Sequence, residues 1–171
     1  MNQINIQYYK TKYAEFVLGS FENKLCLLDF KYRKMRTTVD NRLKIGFKAE
    51  FVEQDDEILK DTRKQLDEYF NMERKVFDIP IITVGTDFQK NVWKALMKVP
   101  YGTTSTYLKL AKDIDNEKAV RAVASANGAN SIALIIPCHR IIGSNGNLTG
   151  YGGGLSLKKR LIKLEQNLFT I

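Results

Sequence analysis

The sequence is poor in the side chains that build metal centres and crosslinks. Its 171 residues hold one histidine, His139, and two cysteines, Cys26 and Cys138. None stands at C-x-x-C spacing, so the usual zinc frameworks are excluded, and we expect no metal and no cofactor. The two cysteines lie far apart, and Met1-Asn2-Gln3-Ile4 has neither a basic n-region nor the start of an apolar h-region. A disulfide framework is therefore not expected, and a reducing cytoplasm is the default compartment. No apolar run approaches the length of a bilayer span, which speaks against a membrane partner. Internal repeats and low-complexity tracts are absent as well. What is present is a 44% share of hydrophobic residues, enough for a packed core and incompatible with disorder. The length suits one ordinary domain or two small ones sharing an interface.

Acidic residues are scarce in one half only. Residues 1–80 hold 15 Lys/Arg against 14 Asp/Glu, whereas residues 81–171 hold 12 against 5. Nearly all of the net +8 thus falls in the half that carries Cys138. A polyanionic partner for that half follows naturally; the other reading of such a charge is plain solubility, and charge alone does not separate the two.

The first third reads as strands: Ile4 to Tyr8, Glu15 to Leu18 and Lys24 to Phe30 are short β-rich runs, with Gly19-Ser20 and Asn23 marking turns between the second and third. Cys26 inside the third run is a small core residue. Met35 to Phe47 reads as a weakly patterned helix. Asp55 to Phe70 reads as a clearer one, with Ile58, Leu59, Leu66 and Phe70 on one stripe. Arg74 to Ile82, with Pro80, looks extended and is the expected linker.

The second half reads as helical. Thr86-Asp87-Phe88-Gln89 fits a capping box, and Phe88, Val92, Trp93 and Leu96 line one face before Pro100 and Gly102 stop the helix. Two short helices follow, Thr104 to about Lys112 and Glu117 to about Asn127, joined by Asp113-Ile114-Asp115-Asn116 in the manner of a helix-turn-helix. The second carries Ala122, Ala124, Ser125, Ala126 and Gly128, a surface with almost no side chain. Arg121 falls with Ser125 and Gly128 on that small face, where a long cation protrudes. The last helix, Leu155 to about Leu168, places Leu157, Leu161, Leu164 and Leu168 inward and Glu165 at the edge of the buried stripe. A carboxylate there needs a partner, and His139 is an apt one.

Pro137-Cys138-His139-Arg140 sets the lone histidine beside a cysteine, between the apolar run Ile132–Ile136 and a glycine-rich stretch from Gly143 to Gly154. A thiol is a strong nucleophile only as thiolate, and a neighbouring imidazole is the usual agent that removes its proton.

Together these segments resemble the O6-alkylguanine-DNA alkyltransferases. The matching residues are Phe88-Gln89 with Val92-Trp93, Pro100-Tyr101-Gly102, Tyr107 with Leu110-Ala111, Ala119 with Arg121-Ala122-Val123, and Asn130. They continue through Pro137-Cys138-His139-Arg140, Gly150-Tyr151 with Gly153-Gly154, and Lys158 with Leu161 and Glu165, spanning residues 86–165 in the family's order. The resemblance implies an α+β chain of two domains. Residues 1–80 would form a variable N-terminal α/β domain with an antiparallel sheet, and residues 81–171 a mostly helical domain with a helix-turn-helix and the active cysteine. It implies repair of DNA by moving an alkyl group from O6 of guanine onto the protein, and leaves open O4 of thymine as a second source. Cys138 is the implied acceptor, and His139 the base, acting through a water. Glu165 orients the imidazole, Tyr107 assists base extrusion and protonates the purine, and Asn130 braces the active-site turn. Arg121 fills the stack, Tyr151 and Gly153 shape the pocket, and Gln89 and Ser144 touch DNA. The expected partner is double-stranded DNA bearing the lesion, bound by a monomer.

Structural zinc ligands found in some members are missing from the N-terminal half, and at 171 residues we expect no fused regulatory domain. Three other classes compete. A non-enzymatic lesion binder of the same fold would lack Cys138. A sequence-reading regulator would need more long polar side chains than Arg121 supplies. A cysteine hydrolase usually gathers its cysteine and histidine from distant segments.

Overall fold

In the computed structural model, which describes residues 2–167, the chain divides after Val84 into two compact units. The first is built on a four-stranded sheet: β1 (Asn2–Lys10), β2 (Glu15–Phe21), β3 (Lys24–Phe30) and β4 (Ala49–Glu53), in the order β3-β2-β1-β4. β1, β2 and β3 form an antiparallel meander, and β4 joins the free edge of β1 in parallel, with Ile4 opposite Phe51. The sheet is therefore mixed, where the sequence led us to expect antiparallel pairing throughout.

β2 and β3 read as near-continuous apolar runs because the sheet is covered on both faces. On one face α1 (Arg36–Phe47) packs Val39 and Leu43 against Ile4, Ile6, Val17 and Leu27. On the other lies α2 (Glu57–Phe70), whose Phe70 ring stacks 6.1 Å from that of Phe16. Leu59 and Leu66 of α2 are wholly buried, each contributing roughly 1.5–3 kcal/mol by leaving water. Asp56 caps α2, accepting from the Leu59 amide at 2.9 Å and from Asn5 Nδ2 at 2.8 Å, which ties the helix start to β1.

Gly19-Ser20 does not turn the chain. It lies within β2, where the pairing with β3 shifts register, and a Cβ on Gly19 would stand 2.9 Å from that of Leu27. The reversal falls at Glu22-Asn23, both with positive φ (49° and 63°), as a two-residue hairpin demands. Arg74 to Ile82 is extended but not free: Leu25 N donates to Pro80 O at 2.8 Å, and Ile82 N to Leu25 O at 2.9 Å.

The second unit is helical. α3 (Asp87–Leu96) begins at the expected capping box, Thr86 Oγ1 accepting from the Gln89 amide while Gln89 Oε1 accepts from the Thr86 amide. α4 (Tyr107–Asp113) and α5 (Val120–Gly128) form a helix-turn-helix through Ile114–Asn116 and a 3-10 turn, Glu117–Ala119. α3 is tied to α5 by the Trp93 indole, which donates to Ala126 O at 2.9 Å. α6 (Leu155–Glu165) buries Leu157, Leu161 and Leu164; Leu168 lies outside the described residues.

Candidate active site

Cys138, His139 and Arg140 form a single 3-10 turn, and all three are buried. The turn is fixed from both sides. Upstream, Ile132 to Ile136 winds through tight turns, with Leu134 at φ +69° and Ile136 N donating to Ile132 O at 3.0 Å. Asn130 braces this winding: its Oδ1 accepts from the Ile132 amide at 2.9 Å, while Nδ2 donates to Ile136 O at 2.8 Å and reaches Cys138 Sγ at 3.3 Å. Downstream, β6 (Ile141–Ile142) pairs in parallel with β5 (Ser105–Thr106). Thr106 is also the N-cap of α4, so this two-residue sheet places Tyr107, the first residue of that helix, beside the cysteine turn.

Cys138 and His139, adjacent in sequence, point their side chains at different partners. His139 is fully buried, and its Nε2 lies 2.6 Å from Glu165 Oε2. Arg140 approaches the same carboxylate as a fork, Nε to Oε1 at 2.7 Å and Nη2 to Oε2 at 3.0 Å, and its Nη1 donates to Val99 O at 2.7 Å. A fourth donor, the Gly102 amide, reaches Oε1 at 3.3 Å. Gly102 has φ +80°, and a Cβ there would stand 3.2 Å from Glu165 O, so the Pro100-Tyr101-Gly102 turn closes over the carboxylate only with glycine.

These contacts set the charges. Burial by itself would raise Glu165, but the hydrogen bonds and charges of His139 and Arg140 outweigh it and hold the carboxyl down at about 2. Burial pushes His139 below its ordinary 6.5 despite the carboxylate. The imidazole is thus neutral, and an ionised Glu165 has no proton to give, so Nε2 carries the hydrogen and Nδ1 the lone pair. Nδ1 is buried and has no hydrogen-bond partner among the described residues.

The remaining candidates lie in two places. Tyr107 borders the loop from Gly143 to Gly154, its hydroxyl 3.5 Å from Thr149 O and 3.4 Å from Thr149 Oγ1. Tyr151 and Gly153, in that loop, are half-buried, and Ser144 is exposed. Arg121 projects from α5 on an exposed face with Ala122, Ser125 and Gly128, while Val123, Ala126 and Asn127 face inward. Gln89 is engaged by its capping bond. Two residues drew no individual role from sequence reasoning, Arg140 and Lys158, although both stand in the quoted motifs. The one available signal was a strongly polar residue at a buried position of α6 or beside the cysteine.

Residues 87–167 match the family model for the 6-O-methylguanine DNA methyltransferase DNA binding domain, and residues 4–83 that family's ribonuclease-like domain. The chain belongs to the O6-alkylguanine-DNA alkyltransferase family. Among its relatives, a methylated-DNA–protein-cysteine methyltransferase of Methanosarcina acetivorans is 52% identical over 112 residues, 66% of this chain and 72% of that one. One from Methanosarcina barkeri is 44% identical over 151 residues, covering 88% and 90%. The Mycobacterium tuberculosis OGT structure in complex with DNA superposes with a TM-score of 0.80 at 35% identity, covering 96% of this chain and 93% of that one. The family read from residues 86–165 is borne out.

Proposed function

We propose that this protein repairs alkylated DNA by transferring an alkyl group from O6 of guanine to Cys138, once per molecule. The observation that carries the reading is the buried chain of contacts around one turn: Asn130 at the sulfur, and His139 held by a Glu165 that Arg140 keeps ionised.

The chemistry follows from that arrangement. Nδ1 of His139 is the nitrogen left to act as base, and a single water carries the thiol proton to it. The thiolate attacks the alkyl carbon; an S–C bond forms, the C–O6 bond breaks, and its electron pair passes to the purine. Tyr107 gives the departing guanine a proton and is reprotonated in turn by the imidazolium through solvent. The net change moves the thiol proton to guanine and leaves a thioether. Nothing in the site regenerates a thiol from a thioether, so the protein is consumed.

O6 is out of reach inside a stacked duplex, so the nucleotide is rotated out before sulfur meets carbon. The small exposed face of α5 supports close approach to a groove, and Arg121 fills the gap the flipped base leaves. Tyr151 and Gly153 line the pocket for the purine, and Gln89 and Ser144 complete the contacts to the strand. The protein works as a monomer in this scheme.

A burst titration tests it. A duplex containing O6-methylguanine in excess should be demethylated to a plateau of one lesion per protein. Continued turnover, or binding of the lesion with no loss of methyl, would overturn the reading.

A further inference from the structure

Lys158 is a fully buried lysine of α6 that the proposed chemistry leaves unused. Its ammonium donates to Thr149 O at 2.7 Å and Gly150 O at 3.4 Å, and forms no salt bridge among the described residues. Burial disfavours its charge and brings its pKa down to about 8, with Cys138 acting in the opposite sense. A methionine of similar length would fill the site without that penalty. Nor do the carbonyls require it, because Thr149 and Gly150 are exposed to water.

What the ammonium does hold is the loop. Thr149 is the residue that meets the Tyr107 hydroxyl, Tyr151 lies two residues on, and the Tyr107 ring centroid stands 6.0 Å from Nζ. The titratable neighbours acting on it are Cys138 and His139 of the cysteine turn and Tyr107 of α4; Lys159 and Arg160 on α6 itself face solvent.

We propose that Lys158 is a positioning residue for alkyl transfer. Its ammonium latches Thr149 and Gly150 to α6, so that Tyr107 and Tyr151 keep their places around the purine. The proposal rests on the alkyl-transfer reading for its consequence, not for the latch itself.

The test uses the full chain with Lys158→Met and Lys158→Arg. Amide hydrogen exchange across 147–152 at pH 7, corrected for intrinsic rates, should quicken at least tenfold in Lys158→Met and stay near the wild-type rate in Lys158→Arg (an order-of-magnitude expectation for losing a local hydrogen-bonded closure). Single-turnover transfer from an O6-methylguanine duplex gives the functional readout. At pH 7 Lys158→Met should be slower by roughly tenfold or more, as expected when a pocket is misplaced, and Lys158→Arg should recover most of the loss. Exchange that is insensitive to Lys158→Met overturns the latch; so does transfer that Lys158→Met leaves at the wild-type rate. If Lys158→Met does not fold, the same two measurements on Lys158→Gln decide. A wild type that leaves no methyl on Cys138 overturns the alkyl-transfer reading instead, and the exchange measurement still decides the latch.

Discussion

His139 Nε2 and Glu165 Oε2 lie 2.6 Å apart across 26 residues of sequence, both side chains buried and the carboxylate gripped from its other side by Arg140. The carboxylate serves a guanidinium and a neutral imidazole at once, so its removal has separable effects on stability and on chemistry.

Glu165→Gln keeps the shape but strands the Arg140 guanidinium in the interior. Breaking a buried pair in this way costs about 3–5 kcal/mol. Transfer from lesion DNA should fall by roughly 10²-fold or more, because the imidazole loses the group that fixes its tautomer. Urea melts and single-turnover rates measure the two losses.

Stability should fall with acid in a defined order. His139 sits below its unfolded value of 6.5, so as pH falls below 6.5 the unfolded chain takes up a proton that the folded one does not. Glu165 is depressed from 4.5 to about 2, so its contribution is complete above 4.5 and drains away as pH drops toward 2. Melting temperatures across pH 2–8 should show both limbs, and Glu165→Gln should lose the lower one.

Lys158→Met should not lower the melting temperature at pH 7, since it removes a buried charge and exposes no polar group to an apolar site. Wild type should gain stability between pH 8 and 10.5, where the unfolded lysine holds a proton that the folded one has released. Calorimetry of both proteins at pH 7 and pH 10 checks the sign.

Arg121→Ala should change stability by no more than about 0.5 kcal/mol, because the residue is exposed and makes no hydrogen bond or ion pair among the described residues. Repair of duplex DNA should weaken sharply while reaction with free O6-alkylguanine stays near wild type. Equal losses on both substrates would remove Arg121 from the flipping step.

Asn130→Ala should cost about 2–3 kcal/mol by leaving the Ile132 amide and the Ile136 carbonyl without their partner inside the protein. Reactivity of Cys138 toward iodoacetamide should change with it; an unaltered thiol would limit Asn130 to scaffolding. Chemical denaturation and thiol labelling give both values.

Local chemistry was what the sequence displayed best. Lys24–Phe30 is bounded by turn residues and an apolar run, and the strand has those limits. The capping box at Thr86 and Gln89 announces α3 because its donors and acceptors lie three residues apart. Elements settled by distant partners were harder to see. β4 follows a helix that ends at Lys48 in the left-handed conformation without a glycine, and it owes its existence to pairing with β1. Gly19 resembles a turn residue, yet its lack of a side chain serves the approach of Leu27. Around the cysteine, the motif names the participants but not their contacts. The histidine turns to Glu165, the partner expected for that carboxylate, whereas the contact of the sulfur with Asn130 was not visible in the motif. Arg140 and Lys158 are visible as cations in the sequence, and only the fold shows the oxygens to which each is bound.

The decisive observation is the position of the alkyl group after reaction. Protein exposed to an O6-methylguanine duplex, then digested and mapped by mass spectrometry, should carry one methyl on the peptide containing Cys138 and none on that containing Cys26, whose thiol burial pushes up to about 12. A methyl on Cys26, or an unmodified protein beside demethylated DNA, would contradict it.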